Sequence, residues 1–510
     1  MNLTIANALS RTLLEHGDAV GYIDHGRSHT FNDLEQRSDR LAGVLHGMGL
    51  ARGDRIALLA QNQIEWVELL FAAAKLGVTV VALNPRYRDG EVEYMLSDAQ
   101  VRAVFTIARL DDFDYLAMFQ RLAPHLPTLR DVVTIDAERL AQLAASADCG
   151  ALASLREQVT PEDVAVVIYT SGTTGRPKGC ALTHRSLLAA AQAQALHMRL
   201  GPEDLLQLVA PLNHVGALSC SLLPMMLSGG TCELVQVFKA ETLLRLMEQR
   251  PPTILFAVPT VMAKLLMNAG PDEAGFRRIR IVSNGGASVD PASFDRLRVL
   301  IPHARFMNLY GLTEASGMIT GTALDCDPEE IKTTVGRPFP GAQVRVLDDK
   351  GREVPLGAIG EISFKGLGVV NDYIGAAAGS GAFHDGWLRT GDLGSLDEQG
   401  RISLRGRAKD MFIQGGYNVY PAEVEALLNA HPDIVMAAGI GVADPVMGEI
   451  GRYYVVPRPG SGLTVDDVLA YCKDKIADYK VPRQIVLREE LPLTPAGKVQ
   501  KASLRSEANQ

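Results

Sequence analysis

The chain predicts an α/β protein: a large N-terminal domain of layered α/β sheets ending in a small β-rich subdomain, and a small C-terminal α+β domain. Three observations carry this. Short apolar, β-branched runs alternate with helical patterns up to about Thr334, which builds layers around largely parallel sheets. After Thr334 the chain becomes glycine- and turn-rich, with short strand patterns only. Beyond a charged segment at 406–410, helix and strand patterns resume for about a hundred residues, an ordinary domain size. At 510 residues the chain exceeds one core and has room for roughly three or four domain-sized units. The expected units are 1–408, with the β-rich part at about 335–408, and 409–510.

Taken in order, strands are expected at 56–60, 78–83, 101–107, 164–169, 206–209, 231–235, 254–258, 279–283 and 306–309, each apolar and bounded by turn residues. Helices are expected at 31–48, 64–76, 240–249 and 261–268, with another starting near Thr183 and running through an alanine-rich stretch. The longest apolar run, 66–83, is interrupted by Glu68 and Lys75, so it reads as a buried helix running into a strand and not as a membrane span. The β-rich part shows strands at 343–347, 360–364 and 401–404. The tail shows helices at 421–429 and 465–476 and strands at 434–441 and 452–456. There is no repeat of solenoid period and no low-complexity segment.

Hydrophobic residues make up 47% and charged residues 21%, which excludes global disorder. The net charge of −9, with no basic block, lacks the footprint of a nucleic-acid partner. Six scattered cysteines form no C-x-x-C pair and no zinc spacing, so free thiols in a reducing compartment, the cytoplasm, are expected. Arg11, Glu15 and His16 interrupt the N-terminal apolar residues, so no signal peptide is expected.

Residues 169–179 read Y-T-S-G-T-T-G-R-P-K-G and are the most informative stretch. Ser171, Thr173 and Thr174 place hydroxyls around Gly172 and Gly175, and Lys178 adds a positive charge. Glycines let backbone amides approach anionic oxygens, and Pro177 stiffens the approach to Lys178. An apolar strand before the loop and a helix after it suggest a phosphate cradle at a helix N-terminus. A polar surface loop without a ligand is the alternative. The P-loop pattern fails, because Pro177 precedes Lys178 and Gly179 follows it.

Other segments are weak one at a time. Y-G-L-T-E at 310–314 offers a glutamate able to hold Mg²⁺ beside a phosphate, or merely a solvated carboxylate. W-L-R-T-G-D-L-G at 387–394 offers an aspartate suited to an Asx-turn or to a ribose diol. G-R-A-K-D at 406–410 reads as a charged linker, and Lys498 in P-L-T-P-A-G-K reads alone as a surface lysine.

In this order the motifs resemble the adenylate-forming superfamily: acyl- and aryl-CoA synthetases, firefly-luciferase-like enzymes and peptide-synthetase adenylation domains, with acyl-CoA synthetases closest. The likeness runs from T-F-N-D-L at 30–34 to Lys498. It implies an active site at the junction of a large domain and a small mobile one. ATP, Mg²⁺ and coenzyme A are the implied co-substrates. A carboxylate attacks the α-phosphate to give an acyl-adenylate and pyrophosphate, and a thiol then displaces AMP.

The same resemblance implies roles. Thr170, Ser171, Gly172, Thr173, Thr174, Gly175 and Lys178 would wrap the β- and γ-phosphates. Thr313 would meet the α-phosphate, Glu314 the magnesium, and Lys498 the attacking carboxylate. Tyr310 would lie against adenine and Asn308 would bond the base, with Gly285, Gly286 and Ala287 running between base and acyl group. Gly311 belongs to the same nucleotide segment. Asp392 would hold the ribose, with Arg407 as a second ribose or phosphate contact. His214, matching an aromatic position near the carboxylate, would position substrate. Val215, Gly285, Gly286, Leu312 and Met318 would line an apolar acyl pocket suited to a medium-chain or aromatic acid. Lys409 stands at the hinge, and Gly415 and Gly416 in the loop lining the pantetheine tunnel.

Two departures stand out: V-V-N-D-Y-I at 369–374 replaces a G-Y-W-like run, and Cys180, read as a buried hydrophobe, follows the loop. The alternatives are an adenylating enzyme serving another thiol, such as a carrier protein, and a non-catalytic nucleotide-binding homologue. Lys178, Glu314, Asp392 and Lys498 argue against the latter, and the dozen residues after Lys498 are too few for an attached carrier domain. A monomer or homodimer, without a nucleic-acid partner or integral membrane segment, is expected.

Overall fold

The computed structural model describes residues 3–170, 176–270, 273–287, 289, 291–473, 475–494 and 498–508. Two large sheets build the N-terminal body. The first runs Lys178–Thr183, Val164–Thr170, Thr79–Leu83, Arg55–Leu59, Ala103–Thr106, Asp131–Thr134 and is parallel except for its first strand. The second has nine strands in the order Arg337–Pro338, Gly317–Gly321, Arg305–Leu312, Ile281–Gly285, Ile254–Ala257, Leu205–Leu208, Thr231–Leu234, Val20–Asp24, Arg27–Thr30. Its middle is parallel and its ends are antiparallel.

One hydrophobic cluster joins side chains of both sheets, such as Ile56, Leu58 and Val80 with Leu206, Leu208 and Cys232, through the helices Ile64–Leu76 and His184–His197. Every residue of Ile64–Leu76 except Glu65 is buried, which explains its apolar all-round character. Gly77 ends that helix at φ +68, a left-handed conformation that glycine adopts without a Cβ penalty. Thr30 starts the helix Phe31–Gly47 with a capping box to Asp33.

The β-rich part is an antiparallel five-stranded sheet of Gln343–Leu347, Gly360–Lys365, Trp387–Leu396, Phe383–His384 and Ile402–Arg407. The C-terminal part is a second five-stranded sheet whose centre is the pair Ile434–Asp444 and Gly448–Pro457. Helices Pro421–Asn429 and Val465–Cys472 cover one face, and Lys501–Ala508 covers the other.

Four expectations need correction. The strand expected to end at 309 runs Arg305–Leu312, because its antiparallel partner Gly317–Gly321 extends it. The stretch 387–394, read as a turn, lies in the ten-residue strand Trp387–Leu396, whose pairing shifts near Gly391. The helix expected at 465–476 ends at Cys472. The glycine-rich loop leads into the strand Lys178–Thr183, not directly into a helix.

Candidate active site

Val164–Thr170 and Lys178–Thr183 form an antiparallel hairpin that pairs Thr170 with Lys178. Ser171, Gly172, Thr173, Thr174 and Gly175 lie outside the described residues. The next helix, His184–His197, starts a full strand away, and Thr183 and Ser186 cap its first amides. The expected strand–loop–helix order is therefore strand–loop–strand, with the helix His184–His197 following the second strand.

Thr170 belongs to the first sheet and Glu314 follows the last long strand of the second, yet they meet. Thr170 Oγ1 donates to Glu314 Oε1 at 3.4 Å, and Tyr373 Oη donates to the same oxygen at 2.9 Å. Ligand sites of parallel sheets lie where the carboxyl ends of strands converge, as they do here. Thr313 is buried in the short turn Thr313–Ala315, which is closed by Ser316 in a left-handed conformation. Tyr310 and Leu312 pack with Ile319 of the neighbouring strand and with Phe364 of the β-rich part. Gly311 is confined by packing: a Cβ there would lie 1.9 Å from the Gly317 carbonyl oxygen.

Asp392 is buried and tied on both oxygens. Tyr310 Oη donates to Oδ2 at 2.6 Å, and Arg407 Nε meets Oδ1 at 3.0 Å. Burial, and then the Asp392 charge, hold the Tyr310 phenol far above its ordinary range, so it is a permanent donor. The Asn308 carboxamide is engaged with protein: Nδ2 donates to the carbonyls of Thr334 and Ile331, and Oδ1 accepts from Asn284 Nδ2. Asn284 also donates to the Ala287 carbonyl, so this pair braces the segment of Gly285, Gly286 and Ala287.

Gly286 adopts φ +79, and a Cβ there would approach Val258 at 3.3 Å and Lys498 Cε at 3.9 Å. The C-terminal unit therefore reaches into the N-terminal site. Leu493 pairs with Val499, and Lys498 N–H donates to Thr494 Oγ1 at 3.1 Å, which holds the ends of this loop together. Burial and the Arg407 charge lower the Lys498 ammonium's pKa, against the opposing pull of Asp392 and Glu314.

A Cβ on Gly285 would strike Met318 Cε at 2.7 Å and Phe256 at 3.2 Å. Glycine thus leaves this wall to Met318 and Phe256. His214 accepts the Gly216 amide at Nδ1, and burial with the Lys498 charge lowers its pKa to about 4. The ring is neutral at pH 7 and carries its proton on Nε2. Val215 is buried in the short helix that follows.

Gly415 and Gly416 have φ +58 and +86 between the paired strands Phe412–Gln414 and Tyr417–Val419. Two positive φ values are what a two-residue hairpin turn demands, which accounts for both glycines by backbone geometry. Around Lys409, Ala408 N–H donates to the Gly391 carbonyl at 2.9 Å on one side. On the other, Arg505 bonds the Asp410 carboxylate at 2.6 Å and the Lys409 carbonyl at 3.4 Å.

Sequence reasoning missed Tyr373, Phe256 and Asn284. Tyr373 lay in a segment read as a departure. Phe256 and Asn284 lie at the carboxyl ends of parallel strands, and that position was the available signal.

Among the described residues no three or more His, Cys, Asp or Glu side chains gather as a metal site. Glu314 offers a hard oxygen, Oε2, that takes no hydrogen bond from the described residues, which suits Mg²⁺ held by one carboxylate and by phosphate oxygens. No described helix is long and apolar enough to cross a membrane.

Thr170 beside Glu314, Asp392 held between Tyr310 and Arg407, and a lysine supplied by the C-terminal unit fit an enzyme that binds ATP and transfers its adenylyl group. The chain belongs to the AMP-binding enzyme family: the family model matches residues 9–374 and its C-terminal domain model matches 423–498. It is 33% identical to the 3-[(3aS,4S,7aS)-7a-methyl-1,5-dioxo-octahydro-1H-inden-4-yl]propanoyl:CoA ligase of Mycobacterium tuberculosis, over 98% of each chain. Its fold matches the ATP-bound MatB of Rhodopseudomonas palustris with a TM-score of 0.88, at 29% identity over 99% of both chains. It also matches the o-succinylbenzoate CoA synthetase of Bacillus subtilis in complex with an acyl-adenylate intermediate, with a TM-score of 0.85, at 26% identity over 99% of this chain and 98% of that one.

Proposed function

We propose that this enzyme is an AMP-forming carboxylate–CoA ligase acting on an apolar acid, medium-chain or aromatic, through an acyl-adenylate. The observation that carries the reading is the meeting of Thr170, Glu314, the Tyr310–Asp392–Arg407 group and Lys498 at one junction.

Asp392 accepts the ribose hydroxyls, with Tyr310 and Arg407 fixing its orientation. Lys178 and the 170–175 hydroxyls neutralise the distal phosphates. Lys498 lies between the incoming carboxylate and the α-phosphate, where its charge offsets the repulsion of two anions. Thr313 donates to the α-phosphate. Glu314 would hold Mg²⁺, which would supply further neutralisation of the pyrophosphate charge. His214, neutral with its proton on Nε2, orients the carboxylate and removes no proton, since the acid is already ionised at pH 7.

Met318, Phe256 and Gly285 form an apolar wall that favours burial of hydrocarbon or a flat ring. Lys409 is the hinge between the two half-reactions, and the Gly415–Gly416 turn borders the path of the thiol. The two units divide at 408/409. The test is a panel of short-, medium- and long-chain and aromatic acids, with pyrophosphate release and CoA thioester both measured. Turnover of acetate or amino acids in preference to apolar acids refutes the substrate class, and ATP binding with no pyrophosphate release from any acid refutes the ligase.

A further inference from the structure

The segment around Tyr373 touches both Glu314 and the strand that carries Lys178. Val370 N–H donates to the Glu314 carbonyl at 3.0 Å, and Tyr373 Oη donates to the Glu314 carboxylate at 2.9 Å. Ile374 N–H donates to the Gly179 carbonyl at 2.8 Å, and Tyr373 bridges Cys180. The Tyr373 ring also lies under Lys178, whose Nζ is 5.2 Å from the ring centroid. One strap therefore fastens the backbone and the carboxylate of Glu314 to the strand that carries Lys178.

The geometry constrains Glu314 strongly. A glutamate side chain has three rotatable bonds, and an isolated carboxylate beside a lysine would swing toward it. Here Oε1 accepts two hydroxyl donors, one from the strand end at Thr170 and one from the strap at Tyr373, and Oε2 takes none from the described residues. The ring of Tyr373 gives the Lys178 ammonium an electron-rich face, an attraction that competes with direct pairing to the carboxylate.

We propose that Tyr373 is a positioning residue for the metal-bearing carboxylate: its hydroxyl holds Glu314 with Oε2 presented to Mg²⁺, and its ring keeps Lys178 apart from Glu314 and available to phosphate. The proposal rests on the reading of Glu314 as the magnesium ligand. Outer hydrogen-bond partners of metal ligands contribute about 10- to 100-fold to metal affinity.

The experiment is calorimetric titration of ATP into the full-length enzyme, without acid or CoA, at a series of Mg²⁺ concentrations, for wild type, Tyr373→Phe, Tyr373→Leu and Glu314→Gln. Melting temperatures check that each variant is folded. Tyr373→Phe keeps the ring and loses the hydroxyl, so the Mg²⁺ concentration needed for tight ATP binding rises about tenfold while metal-free ATP affinity stays unchanged. Tyr373→Leu shows the same rise and also weakens metal-free ATP binding, because Lys178 loses its ring. A Tyr373→Phe enzyme with the wild-type Mg²⁺ dependence, beside a Glu314→Gln enzyme that has lost it, overturns the proposal and leaves the metal assignment standing. Glu314→Gln with unchanged Mg²⁺ dependence overturns the metal assignment, and the proposal with it.

Discussion

Replacing Lys498 with alanine tests the whole arrangement, because this residue comes from the C-terminal unit and meets the N-terminal site beside Gly286. Its ammonium is a single positive charge facing two anions. At about 4 Å and an effective dielectric of about 20, one charge pair is worth about 4 kcal/mol. That corresponds to roughly a thousandfold loss in the rate of adenylate formation. The second half-reaction has no such requirement, since the thiol meets an anhydride already made. The assay measures pyrophosphate release from acid and ATP, and separately thioester formation from supplied acyl-adenylate and CoA. The first falls about a thousandfold and the second by less than about tenfold. The lowered pKa adds a second signature: the cation is lost as pH rises through a value below that of an ordinary lysine. The alkaline limb of kcat/KM for adenylation therefore begins earlier than a free lysine would place it. It moves to higher pH in Lys498→Arg. Equal losses in the two half-reactions refute the assignment of Lys498 to adenylation alone.

Other consequences follow from the packing. His184 is buried, accepts the Ile5 amide at Nδ1, and is held by burial at a pKa of about 4. The unfolded chain therefore binds more protons between pH 6.5 and 4, and stability falls as pH drops through that window. The loss is about 2 kcal/mol by pH 5, read from urea midpoints at pH 7 and 5, and His184→Gln flattens that dependence. Gly311→Ala forces a Cβ onto the Gly317 carbonyl and costs about 3 kcal/mol or more, seen as a lower Tm together with weakened ATP binding. A wild-type Tm would show that the strand pair yields more easily than its spacing indicates. Arg505→Ala frees Asp410 and the Lys409 carbonyl from the C-terminal helix, so thioester formation changes more than adenylation does. Restoration by the exchange Asp410→Arg with Arg505→Asp checks that the ion pair is the cause.

The sequence alone determined the layered α/β class, the change to β-rich structure after Thr334 and the separate C-terminal unit. Hydrophobic period and glycine punctuation are local properties, and they suffice to mark Ile64–Leu76 and Pro421–Asn429 at their observed bounds. Ordered motifs likewise singled out Glu314, Asp392 and Lys498, because their chemistry needs particular residue types in particular local contexts. Pairing partners were another matter. The strand Lys178–Thr183, the extension of Arg305–Leu312 and the strand Trp387–Leu396 depend on neighbours far along the chain, which no local window contains. The direction of Leu312, the internal bonding of Asn308 and the strap that carries Tyr373 to Glu314 were decided only in three dimensions. Which hydroxyl turns to which carboxylate is a matter of distance, and distance between remote residues exists only once the sheets have packed.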